Sequence, residues 1–131
     1  MSHYAKINTV YKYQKELVDS LVKMFGKDNV IVSEAGYNLR DYYGNEGLKA
    51  NIVVRREAIV DDYLVPRAAD LGFVLEDGVY RTIVDNYNNA WKDIMKELPR
   101  SYTEEVIKNR LSPYKYRMLS SEKDRIVLEV K

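Results

Sequence analysis

Leu71-Gly72-Phe73-Val74-Leu75, then Glu76-Asp77-Gly78, then Val79-Tyr80-Arg81-Thr82-Ile83-Val84 reads as two strands joined by an Asp-Gly turn. β-Branched and aromatic residues crowd both runs, and Asp-Gly is a pair that accepts the positive φ angles of a two-residue hairpin turn. Upstream, Tyr4 to Tyr11 alternates loosely, with Ala5, Ile7 and Thr9 on one side and Lys6 and Asn8 on the other, which predicts a first strand. Leu17, Leu21, Met24 and Phe25 then recur at helical spacing with Lys15, Glu16, Asp19 and Lys23 mostly opposite, and Gly26 follows as a C-terminal cap. Asn29 to Ala35 carries Val30-Ile31-Val32, a short strand. Gly36 to Gly47 mixes turn formers with aromatics and predicts the main irregular loop. Ala50 to Val60, interrupted by Arg55-Arg56-Glu57, predicts one strand with a bend, and Pro66 falls in a connection.

Downstream of the hairpin, Asn88 or Asn89 caps a helix presenting Trp91, Ile94, Met95 and Leu98, which Pro99 is expected to stop. Ser101-x-x-Glu104 is a capping box that opens a further short helix, with Val106, Ile107 and Leu111 inward. Tyr114 to Leu119 and Arg125 to Val130 form a last hairpin. The order β-α-β-β-β-β-α-α-β-β predicts an α+β fold: an antiparallel-dominated sheet with an N-terminal helix and a C-terminal helical pair packed against it, in one domain over residues 1–131.

Composition narrows the function. Lys and Arg number 21 against 20 Asp and Glu, a net charge of +1, so no whole-molecule field draws in a nucleic-acid backbone and duplex nucleic acid is not an expected partner. The chain has no cysteine and a single histidine, His3. That removes thiolate chemistry and leaves only carboxylates to accompany His3, so neither a metal nor a cofactor is expected. No run is apolar enough to span a bilayer or act as a signal peptide, which predicts a cytoplasmic protein. Twelve tyrosines against two phenylalanines and one tryptophan make the aromatic complement almost wholly phenolic. Most of those rings lie near an Arg or Lys in sequence, a pairing that suits a flat, negatively charged ligand.

Met1-Ser2-His3-Tyr4 with Ile7 and Thr9, Arg40-Asp41-Tyr42-Tyr43-Gly44-Asn45 before a strand, Asp70-Leu71-Gly72-Phe73, Gly78-Val79-Tyr80 and Val84-Asp85-Asn86-Tyr87 occur in that order. In this the chain resembles the family called domain of unknown function twelve fifty-seven, which includes the Ycf thirty-five proteins of chloroplasts and cyanobacteria and has members in bacteria and phages. The resemblance covers about the first ninety residues. Tyr87 stands where the family tends to have tryptophan, and the helical region from Trp91 onward is diverged. The resemblance implies a fold and a set of positions to inspect, not a reaction.

Among those positions Arg40, Tyr37, Tyr42, Tyr43 and Asn45 fall within nine residues. A guanidinium clamps phosphate through two nitrogens, a ring covers a base, and an amide reads a base edge. Arg40 is therefore the expected phosphate ligand and Tyr42 or Tyr43 the stacking group, with His3, Asn45, Arg55 and Tyr87 at the rim. Asp70 and Asp85, which flank the central hairpin, are expected to hold backbone amides at strand ends. Glycines of the 36–47 segment match neither a phosphate loop nor a dinucleotide fingerprint.

The expectation from sequence is a non-enzymatic, phage-encoded protein, a homo-oligomer in the host cytoplasm, that captures a small anionic nucleotide such as a cyclic oligonucleotide immune signal. The alternative is a protein–protein adaptor or self-assembling subunit that uses a tyrosine-rich face, since Tyr and Arg also dominate protein interfaces. A carboxylate-dependent nuclease would need Asp41, Asp70 and Asp85 brought together on a metal.

Overall fold

The central hairpin forms as its sequence dictates. In a computed structural model, which describes residues 4–85, 90–110, 116–122 and 125–130, strands β4 (Leu71–Glu76) and β5 (Val79–Asp85) pair antiparallel with Glu76 opposite Val79. Asp77 and Gly78 between them take φ of 52° and 82°, the left-handed pair that matches strand twist. Strand β1 (Tyr4–Tyr11) adds antiparallel to the outer side of β5, and β3 (Glu46–Val54) to the other side of β4. With β2 (Val30–Arg40) the sheet has the order β1-β5-β4-β3-β2. Strands β6 (Tyr116–Glu122) and β7 (Arg125–Val130) pair separately as a two-stranded antiparallel ribbon.

Alternation along the central strands gives the sheet two faces. Ile52, Val54, Leu71, Phe73 and Val84 are buried on one face against helix α1 (Gln14–Phe25), the short α2 (Arg56–Tyr63) and α3 (Ala90–Arg110). The helices contribute Leu17, Leu21, Phe25, Ile59, Ile94 and Leu98, so Leu17, Leu21 and Phe25 of the first expected stripe and Ile94 and Leu98 of the second face the core. On the opposite face Leu39, Ala50, Val53 and Ile83 form a second, smaller cluster. Leu39 and Ala50 sit directly on Gly72, where a Cβ would lie 2.8 Å from Leu39 Cδ1 and 2.9 Å from Ala50 Cβ. Glycine at 72 is what lets the β2–β3 hairpin bend across this face.

Three expectations are corrected. The segment from Gly36 is not an irregular loop: β2 continues to Arg40, β3 starts at Glu46, and Tyr37, Asn38 and Leu39 pair with Ala50, Lys49 and Leu48. Only residues 41–45 turn. A bulge between Val32 and Tyr37, with Gly36 at φ 96°, breaks the alternation that marks a strand in sequence. The bent strand expected over Ala50 to Val60 ends at Val54, and Arg56 opens α2. Ile59 and Val60 carry strand propensity, but the Asp70 carboxylate accepts the Arg56 N–H at 2.7 Å and supplies the helix start from outside its own sequence.

The C-terminal helical pair is one helix of 21 residues running through Pro99. Ala90, Ile94 and Leu98 before the proline and Glu105 and Ile107 after it are all buried. Tyr102 is fixed as well, since its hydroxyl accepts the N–H groups of Lys12 and Tyr13 at 3.1 and 3.0 Å, at the start of α1. Contacts on both sides of the proline outweigh the one backbone bond it removes. Buried Glu16 of α1, paired with Arg110 Nε at 2.8 Å, fastens the far end of α3.

Candidate functional site

The turn that carries the sequence candidates is built by Asp41. Its Oδ1 accepts the N–H groups of Tyr43 and Asn45, both at 2.9 Å, and Asp41 N–H donates to the Asn45 carbonyl at 2.9 Å. Gly44, at φ 87°, completes the turn beside the Arg56 guanidinium. Asp85, nearly buried, accepts the Tyr42 N–H at 3.0 Å and ties the turn to the end of β5. Tyr42 and Tyr43 are thus projected side by side, rings perpendicular with centroids 5.4 Å apart.

Arg40 does something other than expected. Its Nη1 and Nη2 donate to the two oxygens of Glu57 at 2.8 and 2.7 Å, while Nε and Nη2 donate to Asp70 at 3.0 and 2.9 Å. A guanidinium has five N–H groups, and Glu57 and Asp70 take up four of them. Asp70 is only 1% exposed. It also accepts the backbone N–H groups of Arg40 at 2.9 Å and Arg56 at 2.7 Å, so one carboxylate joins the end of β2 to the start of α2. The expectation that Asp70 and Asp85 hold backbone amides is met by these bonds. Arg40 is a structural bridge between the Glu57 and Asp70 carboxylates, which take up the nitrogens expected to clamp a phosphate.

Electrostatics follow from this arrangement. Hydrogen bonds from Arg40 hold the Glu57 carboxyl at a pKa of about 2, against an ordinary 4.5. The same two carboxylates raise the Arg40 pKa further, so it stays charged. Burial and the nearby charges of Asp70, Asp85 and Asp41 push the Tyr4 phenol up; its hydroxyl donates to the Arg40 carbonyl at 2.5 Å. Asp41, Asp70 and Asp85, which a nuclease would need on one metal, are all near enough to Tyr4 to raise its pKa. Each is committed to N–H donors, however, and among the described residues no group of three or more His, Cys, Asp or Glu is placed to hold a metal.

Tyr42 and Tyr43 open instead on a concavity of about 420 Å³, shared with Arg56, Glu57 and Asp61 from α2 and with Arg67 from the connection that follows. The Arg67 guanidinium carbon lies 5.4 Å from the Tyr42 ring centroid and 5.8 Å from that of Tyr43, a cation over two aromatic faces. Arg56 stands at the edge, with Nη1 3.5 Å from the Asp41 carbonyl and Nε 3.8 Å from Glu57. Two guanidiniums, two rings and two carboxylates therefore converge. That is a lining able to hold an anion and a flat ring together.

Of the seven sequence candidates, Tyr42 and Tyr43 are brought to this cavity. Arg40 is paired with Glu57 and Asp70 and lines a different concavity, with Tyr37 and Lys49; Arg55 is exposed 3.6 Å from Glu57, and Asn45 serves the turn through its backbone. His3 and Tyr87 lie outside the described residues. Arg56, Asp61 and Arg67 do not emerge as ligand contacts from the sequence, because Arg56 and Asp61 belong to a helix that reads as strand and Arg67 to an irregular connection with no pattern. Compared with protein-family models, with curated proteins and with solved structures, the chain finds no match, so the site rests on its own residues.

Proposed function

We propose that this chain is a non-enzymatic protein that captures a small anionic nucleotide in the Tyr42–Tyr43–Arg67 cavity. The carrying observation is the Arg67 guanidinium over two tyrosine rings, beside Arg56, in one open concavity. Guanidinium planes and phenol rings are the surfaces on which unstacked bases lie, and a second guanidinium supplies a phosphate contact. The volume falls at the lower end of the roughly 300–1,000 Å³ usual for small-molecule sites, so it suits one nucleotide unit. A cyclic oligonucleotide would seat one of its nucleotides here and leave the rest across the mouth. For a phage-encoded protein in a host cytoplasm, the consequence is sequestration of an immune signal.

Calorimetry with nucleoside monophosphates and cyclic dinucleotides tests this. Binding at micromolar to tens of micromolar is expected, with Arg67→Ala weakening it at least about tenfold, the scale of a lost cation–ring and phosphate contact. Failure of every nucleotide to bind more tightly than about millimolar would refute it.

A second reading, an adaptor or self-assembling subunit, is favoured by the β2 edge. Strand β2 is hydrogen-bonded on one side to β3 and stands at the margin of the sheet, with Val32 48% and Tyr37 45% exposed along it. An edge with apolar side chains offers a place for a partner strand. Neither Val32 nor Tyr37 lines the cavity, so the two readings predict different contact residues.

A further inference from the structure

We propose that the cavity selects guanine among the nucleobases, and that the Asp61 carboxylate is the group that reads it. This rests on the nucleotide reading above and names the class of ligand within it. Helix α2 presents Arg56, Glu57, Val60 and Asp61 to the cavity, positions spaced one and four apart and so on one helical face. The two acids on that face differ in what they already hold. Both Glu57 oxygens accept from Arg40, at 2.7 and 2.8 Å. Asp61 is exposed, and among the described residues no hydrogen bond or ion pair engages its carboxylate.

The lining therefore has a polarity of its own. Arg56 and Arg67 offer donors to an anion, and Asp61 offers two acceptor oxygens with no donor. A ligand phosphate is repelled from Asp61 and drawn to the guanidiniums, which turns the other end of the ligand toward the carboxylate. Base edges differ in how they meet two parallel acceptors. Guanine places N1–H and the 2-amino group side by side, two donors that match a carboxylate in a bidentate pair. Adenine and cytosine set an acceptor beside their amino group, and uracil and thymine flank one N–H with two carbonyls. Each of these faces the carboxylate with at least one lone pair, which costs affinity. The Arg67 guanidinium, held over the Tyr42 and Tyr43 rings, gives the purine a flat cation to lie on.

Calorimetry on the full chain with guanosine, inosine and adenosine monophosphates tests the assignment, using the wild type and Asp61→Asn. Asp61 is exposed on the outer face of α2, so the variant is expected to fold as the wild type does. Guanosine monophosphate is expected to bind at least about tenfold more tightly than adenosine monophosphate, the discrimination a bidentate base contact gives. Inosine monophosphate, which keeps N1–H and lacks the 2-amino group, should fall between them. In Asp61→Asn the guanine advantage should disappear while adenosine monophosphate binds no more weakly. Equal binding of the guanosine and adenosine nucleotides by the wild type, or a preference that survives Asp61→Asn, overturns the guanine assignment and leaves the nucleotide reading standing. If none of the three binds, the guanine assignment falls, and the nucleotide reading falls with it when the cyclic dinucleotides fail to bind as well.

Discussion

Arg40 joins Glu57 and Asp70 through one guanidinium, and this arrangement separates scaffold from the proposed ligand site at the level of single residues. Asp70 is buried, so removing Arg40 leaves a charge with backbone donors alone, a change that costs roughly 3–5 kcal/mol for buried pairs. Loss of binding in Arg40→Ala would then report unfolding as readily as a missing contact, whereas Arg67 is exposed and reports the cavity. Glu57 gives the bridge a direct readout. Its folded pKa of about 2 lies below its ordinary 4.5, so the contribution of the bridge is complete above about pH 4.5 and fades as pH falls toward 2. An NMR titration should find the Glu57 carboxyl midpoint near 2 in the native protein and higher in Arg40→Lys, which keeps the charge but cannot offer two nitrogens to one carboxylate. A native midpoint near 4.5 would mean that the bridge does not form in solution.

Elements differ in how far their own residues specify them. The β4–β5 hairpin was legible because Asp77-Gly78 fixes the turn and both strands keep their propensity, and α1 because its apolar spacing and Gly26 agree. Helix α2 was not legible: its start depends on Asp70, fourteen residues from Arg56, and no local signal reveals a donor satisfied from that distance. The length of α3 was missed for a related reason, since Pro99 and a capping box argue locally for a break while buried Leu98 and anchored Tyr102 hold the helix through it. The β2–β3 hairpin hid behind its bulge. Its closure over Gly72 leaves no room for a side chain there. Gly72→Ala places a methyl 2.8 Å from Leu39 Cδ1, so it should destabilise the protein by about 1–3 kcal/mol, measured by chemical denaturation. An unchanged midpoint would show that the hairpin does not press on the sheet as described.

Across the whole molecule, a net charge of +1 leaves little field at long range, so recognition has to be local. The proposed site lies where the turn after β2, the face of α2 and the connection after it meet. Tyrosines that look uniform in composition separate on folding: Tyr11 and Tyr80 are buried in the core, Tyr102 fixes the start of α1, and Tyr42 and Tyr43 face the cavity. The two rings stand out in the sequence and the cations beside them do not, because tertiary structure alone places Arg67 over the rings and Arg56 in the same concavity. The proposed function requires that a nucleotide occupy that meeting point. Amide chemical-shift mapping during titration with guanosine monophosphate to about millimolar, the limit of a weak encounter, asks this directly. The expected result is saturable shifts at Tyr42, Tyr43, Arg56 and Arg67 with Val32 and Tyr37 on the β2 edge unmoved; no shifts, or shifts confined to the β2 edge, would contradict it.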